Sequence, residues 1–241
     1  MKFESLRLIS EYCQNDFFGS LNSDKLLVFL PSVNGKKVYP NYPRRSWANE
    51  LSKKYNVLYL SDPYQPLPQY EEPMGSWFIS PDGFLTLEVL AKKISLLAKE
   101  IETDDVVFYG SSMGGYAAII LASLLDGSKA IAECPQLYLK KHPGSRFICE
   151  NVLNNEICID SVEPLAFLKN GKSKHIRLVC SVLDRHYTQH VLPFIKELES
   201  MSEDVDISFM LQAYIYSSYK KGHVAMNRED ARKVIDEVFS L

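Results

Sequence analysis

The chain has 241 residues, 46% of them hydrophobic and 24% charged, with a formal net charge of −3. That is the composition of an ordinary soluble globular protein, long enough for one large domain and cramped for two. A slightly acidic balance excludes nonspecific nucleic-acid binding, which needs a basic surface to displace counterions. Glu4 and Arg7 interrupt the N-terminal stretch, so it does not read as a signal peptide, and no run approaches the roughly 18 apolar residues of a membrane span. Five scattered cysteines (Cys13, Cys134, Cys149, Cys158 and Cys180) show no metal-ligand spacing. They read as reduced thiols of a cytoplasmic protein, with Cys134 and Cys180 buried in or beside apolar runs. No metal site is expected.

In chain order, 25–32 and 55–63 are compact apolar strands ending at turn signals. Strands are expected again over 104–112, 129–135, 175–184 and 204–214, near-continuous apolar runs suited to burial on both faces of a mostly parallel sheet. Helical spacing appears between them. Residues 83–101 place Leu87, Leu90, Ala91, Ile94, Leu97, Ala98 and Ile101 three and four apart, and 114–125 is apolar almost throughout. Helices follow at 188–201 and 227–240, the last with Asn227 as N-cap and acids in its first turn. Strand alternating with helix predicts an α/β domain spanning 1–241.

Two stretches break the alternation. Residues 61–81 carry Pro63, Pro66, Pro68, Pro73 and Pro81 among several aromatics. Residues 136–174 are weakly periodic and have the size of an inserted cap.

Residues 108–116, "FYGSSMGGY", contain G-x-S-x-G between a strand and a helix, the setting of a nucleophile elbow. Ser112 is the expected nucleophile. Gly110 and Gly114 let the chain double back, and the helix N-terminus favours negative charge on a substrate oxygen. A serine hydroxyl needs a histidine base oriented by a carboxylate. Asp184 follows one strand and His223 follows the last, so the order is Ser, Asp, His, and loops at strand carboxyl ends can converge. Glu133, at the end of the preceding strand, is a rival for the acid. Asp62 and Asp206 read as solvent-facing or turn residues. His142, His175, His186 and His190 compete poorly with His223 as base.

Through "GSSMGG", Asp184 and His223 the sequence resembles the α/β-hydrolase superfamily, from about Lys25 onward. Within it, the chain is more similar to small bacterial members associated with capsule and surface-glycan acylation than to lipases. The resemblance implies an α/β-hydrolase fold: a mostly parallel central sheet flanked by helices, with a small inserted cap. It also implies an oxyanion hole from the backbone N–H of Met113 and a second N–H in "PSVNG", for which Val33 is the candidate and Ser32 the neighbour that could serve instead. The family's common His-Gly is absent there.

In "GKKVYPNYPRRSW", Lys36, Lys37, Arg44 and Arg45 mix with Tyr39, Tyr42 and Trp47. Ser32, Arg44, Arg45 and Trp47 are the candidate substrate-facing residues, since Arg forks bind anions and aromatic faces pack on sugars; a solvated surface loop is the competing reading. The expected reaction is acyl transfer through an acyl-enzyme. One reading is a hydrolase of small acyl esters, such as an acetylated carbohydrate. A second is an acetyl-CoA-dependent O-acetyltransferase of a bacterial capsule or surface polysaccharide, and a third is a non-catalytic binding module. No bound cofactor is expected, acetyl-CoA entering only as co-substrate. The partner is a small ester or glycan, and nothing in the chain fixes an oligomeric state.

Overall fold

The computed structural model describes residues 3–20, 23–153, 157–170, 175–201, 208–214, 222–223 and 225–241. The chain opens with α1 (Glu4–Ser10), β1 (Asn15–Phe18) and β2 (Lys25–Leu30). The short helix α2 (Ala48–Leu51) leads to β3 (Asn56–Leu60), followed by α3 (Thr86–Glu100), β4 (Asp105–Ser111), α4 (Met113–Leu124) and β5 (Lys129–Glu133). After α5 (Pro143–Asn151) and α6 (Pro164–Asn170) come β6 (His175–Ser181), α7 (Leu192–Met201), β7 (Ser208–Tyr214) and α8 (Arg228–Val238). Residues 204–207 of the expected last strand, and 154–156 and 171–174 of the expected insertion, lie outside the described residues, as does Asp206.

The strands form one sheet in the order β1-β3-β2-β4-β5-β6-β7. All neighbours are parallel except β1, which runs antiparallel to β3 at the edge. Each inner strand is apolar on both faces because helices cover both. In β2, Leu26, Val28 and Leu30 join the core beneath α3 and α4, while Leu27 and Phe29 join the opposite core with Val234, Ile235 and Val238 of α8. Period-two alternation thus sends successive residues into different cores.

Helix α4 is buried from Met113 through Ser123, which accounts for its apolar character all round. Truncating Ile119, Ile120 or Leu121 to alanine there costs about 2–5 kcal/mol, the range for fully buried aliphatics. Helix α8 is capped as its sequence suggests: the Asn227 Oδ1 accepts the Asp230 N–H at 3.0 Å.

The 136–174 segment does not stand off as a separate lid where it is described. Leu139, Ile148, Val162 and Leu168 enter the main core, and the Tyr116 hydroxyl of α4 donates to the Val162 carbonyl at 2.5 Å. The 61–81 excursion is equally built in. Asp62, expected to face solvent or a turn, is buried and organises the segment from inside. Its carboxylate accepts the N–H groups of Tyr64 (3.1 Å) and Ser76 (3.0 Å) and the Ser76 hydroxyl. Burial raises its carboxyl above the ordinary value, against the pull of those donors.

The chain lays β3 on one side of β2 and then crosses to add β4 on the other. The reversal falls between β2 and β4, and open α/β sheets bind ligands beyond the strand carboxyl ends at such a switch point. Leu30 and Gly110 are register partners at that edge, so the loop after β2 starts beside the turn after β4.

Candidate active site

Ser112 occupies the turn between β4 and α4 with φ 58° and ψ −118°, a left-handed conformation that costs a non-glycine residue of order 1–3 kcal/mol. Packing holds it there. The Ser112 N–H donates to the Glu133 carbonyl at 2.8 Å, and its own carbonyl accepts from Gly115 (3.0 Å) and Gln136 (3.2 Å). The two motif glycines are needed because backbone fills the space of a side chain: a Cβ on Gly110 would lie 2.0 Å from the Gly114 carbonyl oxygen, and one on Gly114 would lie 2.8 Å from that of Pro31. The same closeness presses α4 onto the loop after β2. The Ser112 hydroxyl is buried and has no hydrogen-bond partner among the described residues.

The side chains of Met113 and Val33, the two expected oxyanion residues, come together around Gly75. A Cβ on the intervening Gly75 would lie 2.6 Å from Met113 Sδ and 3.1 Å from Val33 Cγ1. Neither backbone N–H is used in the turn and loop hydrogen bonds among the described residues. Ser32 serves the loop through its carbonyl, which accepts from Asn41 Nδ2 (2.9 Å) and Gln65 Nε2 (3.1 Å). Gln65 also donates to the Met74 carbonyl at 2.7 Å, which pins the 61–81 segment to the same loop. No sequence signal marks Asn41 or Gln65 for this role, because side-chain amides that brace a loop follow no spacing rule.

His223 and Asp184 meet across 39 residues of sequence: Nδ1 lies 2.6 Å from Oδ2. The other carboxylate oxygen of Asp184 accepts the His186 N–H at 2.9 Å, fixing its orientation. Burial works against the Asp184 charge, but these hydrogen bonds outweigh it and hold the carboxyl below its ordinary value. The Asp184 hydrogen bond, with Cys134 alongside, raises the His223 imidazole to about 10. The His223 side chain is 50% exposed and Asp184 1%.

Glu133 is engaged elsewhere. Its carboxylate pairs with the Arg44 guanidinium, accepts the Tyr109 hydroxyl at 3.0 Å and accepts the Met226 N–H. Of the two candidate acids, the one that meets a histidine is Asp184.

Of the basic residues of 35–47, Arg44 faces inward rather than an open rim, while Arg45 and Lys37 stay about half exposed in pairs with carboxylates. Arg44 is turned inward, pairing with Glu133, reaching Ser111 Oγ at 3.3 Å and lying over the Tyr109 and Trp47 rings. Trp47 lies against both Arg44 and Arg228. Arg45 pairs with Asp16, and Lys37 with Glu71. The reason is electrostatic: each of these cations finds a carboxylate distant in sequence.

The remaining histidines of the site form a cluster that sequence reading missed, His186 and His190 buried and His142 half-buried. His186 packs edge-on against His223 at 4.4 Å between ring centroids, and His142 and His190 lie 5.6 and 5.1 Å from His186. Burial lowers His142 to about 4 and His190 to about 3, and lowers His186 also, so all three are neutral near pH 7. The His186 Nδ1 bonds to the Cys134 carbonyl at 2.9 Å. Trp77 is fully buried at 5.8 Å from His142, a wall beside the site. Among the described residues no helix is long and apolar enough to cross a membrane.

No protein-family model and no curated protein sequence matches the chain. Solved structures do match in shape. The capsule O-acetyltransferase of Neisseria meningitidis serogroup A superposes with a TM-score of 0.69 at 15% identity, over 95% of this chain and 92% of that one. A point mutant of that enzyme in complex with CoA gives a TM-score of 0.65 at 16% identity, with 95% and 91% covered. An S-formylglutathione hydrolase from Agrobacterium tumefaciens gives 0.61 at 14%, covering 95% and 89%. The dipeptidyl peptidase 4 of Porphyromonas gingivalis gives 0.67 at 14%, and there the chain spans only 33% of the larger protein. Together with the strand order and the turn at Ser112, these likenesses show that the chain has the α/β-hydrolase fold.

Proposed function

We propose that this chain is a serine-dependent acyl-transfer enzyme in which Ser112 is the nucleophile, His223 the base and Asp184 the acid that orients it. The observation that carries the reading is the His223–Asp184 hydrogen bond of 2.6 Å, on the sheet edge that also presents the strained, unpartnered Ser112 hydroxyl. With Nδ1–H donated to Asp184, the lone pair on Nε2 can take the serine proton. The N–H groups of Met113 and Val33 would then receive the oxyanion, one such donor contributing about 3 kcal/mol to the transition state.

Hydrolysis of small acyl esters, including acetylated carbohydrate, is the first reading. Water resolves the acyl-enzyme, and His223 returns the proton. Transfer of an acetyl group from acetyl-CoA to a glycan hydroxyl is the second. It is favoured by likeness over nearly the whole length of a capsule O-acetyltransferase, one form of which was solved with CoA. The two readings share every residue named and differ in whether water or a sugar hydroxyl reaches the acyl-enzyme.

The deciding experiment is intact-mass labelling with a fluorophosphonate probe, on the wild type and on Ser112→Ala. Labelling confined to the wild type, with turnover abolished in the folded variant, is expected. Residual activity within tenfold of wild type in Ser112→Ala would remove the nucleophile assignment, and an unlabelled, folded wild type points to a binding module. Protection by acetyl-CoA, with CoA release that requires a glycan acceptor, selects the transferase.

A further inference from the structure

We infer that Cys134, Asp184 and His223 together form a binding site for a thiophilic divalent cation of the Zn2+ type, and that its occupation silences His223 as a base. The cysteine sulfur, carboxylate oxygen and imidazole nitrogen that would serve as ligands all lie within 4.8 Å of one another; the neighbouring Cys180 and burial push the Cys134 thiol well above its ordinary value, so the cation must displace its proton. A tetrahedral Zn2+ with ordinary bond lengths sets its ligand atoms about 3.3–3.6 Å apart. The His223–Asp184 pair, at 2.6 Å, must open slightly. The sulfur, within 4.8 Å of the other two ligand atoms, closes any remaining gap through a χ1 adjustment.

The surroundings resemble the outer contacts that hold metal ligands in place. The Asp184 oxygen that would stay off the metal is held by the His186 N–H at 2.9 Å. The Cys134 backbone is fixed at both ends: its N–H donates to the Val179 carbonyl at 2.7 Å and its carbonyl bonds to His186 Nδ1 at 2.9 Å. Its φ of 44° is left-handed, so the residue stands at a turn that packing enforces. The half-exposed His223 ring gives an ion a route in from solvent.

On binding, the cation displaces the Cys134 thiol proton, which leaves to water, and forms the metal–sulfur bond. It also takes the Nδ1 lone pair of His223: below about pH 10 that ring is an imidazolium, so its Nδ1 proton leaves to water while Nε2 keeps its own. A neutral imidazole that carries its proton on Nε2 cannot accept one from Ser112. This silencing step rests on the acyl-transfer reading, whereas the ion site itself does not.

The test uses the full chain and reads metal directly. Co2+ is titrated as a spectroscopic probe and Zn2+ by calorimetry, on wild type, Ser112→Ala, Cys134→Ser and His223→Ala. One ion per chain is expected, with a sulfur-to-cobalt charge-transfer band in wild type and Ser112→Ala that is absent in Cys134→Ser. Zn2+ affinity should be at least tenfold weaker in His223→Ala. Should Cys134→Ser fail to fold, the His223→Ala affinity carries the decision. A missing band, or binding undiminished in Cys134→Ser and therefore owed to accessible thiols such as Cys158, overturns the site. In wild type, saturating Zn2+ should cut probe labelling of Ser112 at least tenfold, with EDTA restoring it; labelling unchanged under proven occupancy overturns the silencing. Since Ser112→Ala reports the ion without any chemistry, failure of the acyl-transfer reading and failure of the metal site are seen separately.

Discussion

Two buried carboxylates stand at the ends of adjacent strands, Glu133 closing β5 and Asp184 just after β6, and their surroundings give them opposite work. Glu133 is 1% exposed and answers a guanidinium, a phenol and a backbone N–H. A guanidinium keeps its charge, so the pairing with Arg44 moves no proton and holds structure only. Asp184 is buried as deeply and answers an imidazole, whose proton can come and go. Depth and position on the sheet do not separate the two acids; the partner does. Glu133 still serves the site at one remove, because the Met226 N–H it accepts lies three residues beyond His223 and anchors that loop to the sheet.

Exchanging each acid for its amide separates the two roles most sharply. Asp184→Asn should cost about 10⁴ in kcat with little change in melting, by the logic of a mis-set histidine tautomer. Glu133→Gln should do the reverse: turnover within about tenfold of wild type, but stability lower by about 3–5 kcal/mol, since Arg44 is left buried without its counter-charge. If Glu133→Gln carries the catalytic loss instead, the assignment of the acid fails. Rate measurements and thermal melts on the two variants side by side decide this.

A smaller effect lies in the pH profile. The base works only when neutral, and Asp184 raises His223 from 6.5 toward about 10. The rate should therefore climb with pH, by about a hundredfold between pH 6.5 and 8.5 if the limb follows a single deprotonation. In Asp184→Asn the limb should move to lower pH; a midpoint unmoved by that change would deny the coupling. For stability the sign runs the other way. The folded histidine holds its proton more tightly than the unfolded one, so the pair stabilises fully below pH 6.5 while Asp184 stays ionised. That contribution fades as pH rises toward 10.

The smallest effect sharpens the contrast between neighbouring arginines. Arg45→Ala, at an exposed pair with Asp16, should change stability by less than about 1 kcal/mol and leave turnover alone. Arg44→Ala should destabilise at least as much as Glu133→Gln, a difference that chemical denaturation resolves.

Much of the frame is legible in the sequence. Apolar runs mark the inner strands, spacing marks α3, and the strand–turn–helix setting marks Ser112, because these are local signals. The order of Asp184 and His223 is legible too, although their meeting can be read there only as an expectation. Contacts made at a distance are hidden. Nothing near Arg44 reveals that it turns inward to Glu133, 89 residues on. Asp62 looks like a turn residue until the 61–81 segment wraps its carboxylate in donors. The edge strand β1 carries no clear pattern because "NDFF" is short, only partly buried and paired on one side. In the histidine cluster, His186 and His190 stand four apart on one helical segment, a legible spacing, but His142 joins them from a distant loop that no spacing reveals.

The tight seat of Gly114 on the carbonyls of Leu30 and Pro31 has a bearing on how such a protein can change over generations. The separation of the two proposed oxyanion amides is set there by main chain against main chain, independent of every variable side chain around the site. Substitutions along 61–81 and 136–153 can reshape what the site admits without disturbing that spacing. A directed-evolution campaign toward a new acyl acceptor should accumulate its changes in those two segments, and leave Gly110, Gly114 and Gly75 untouched.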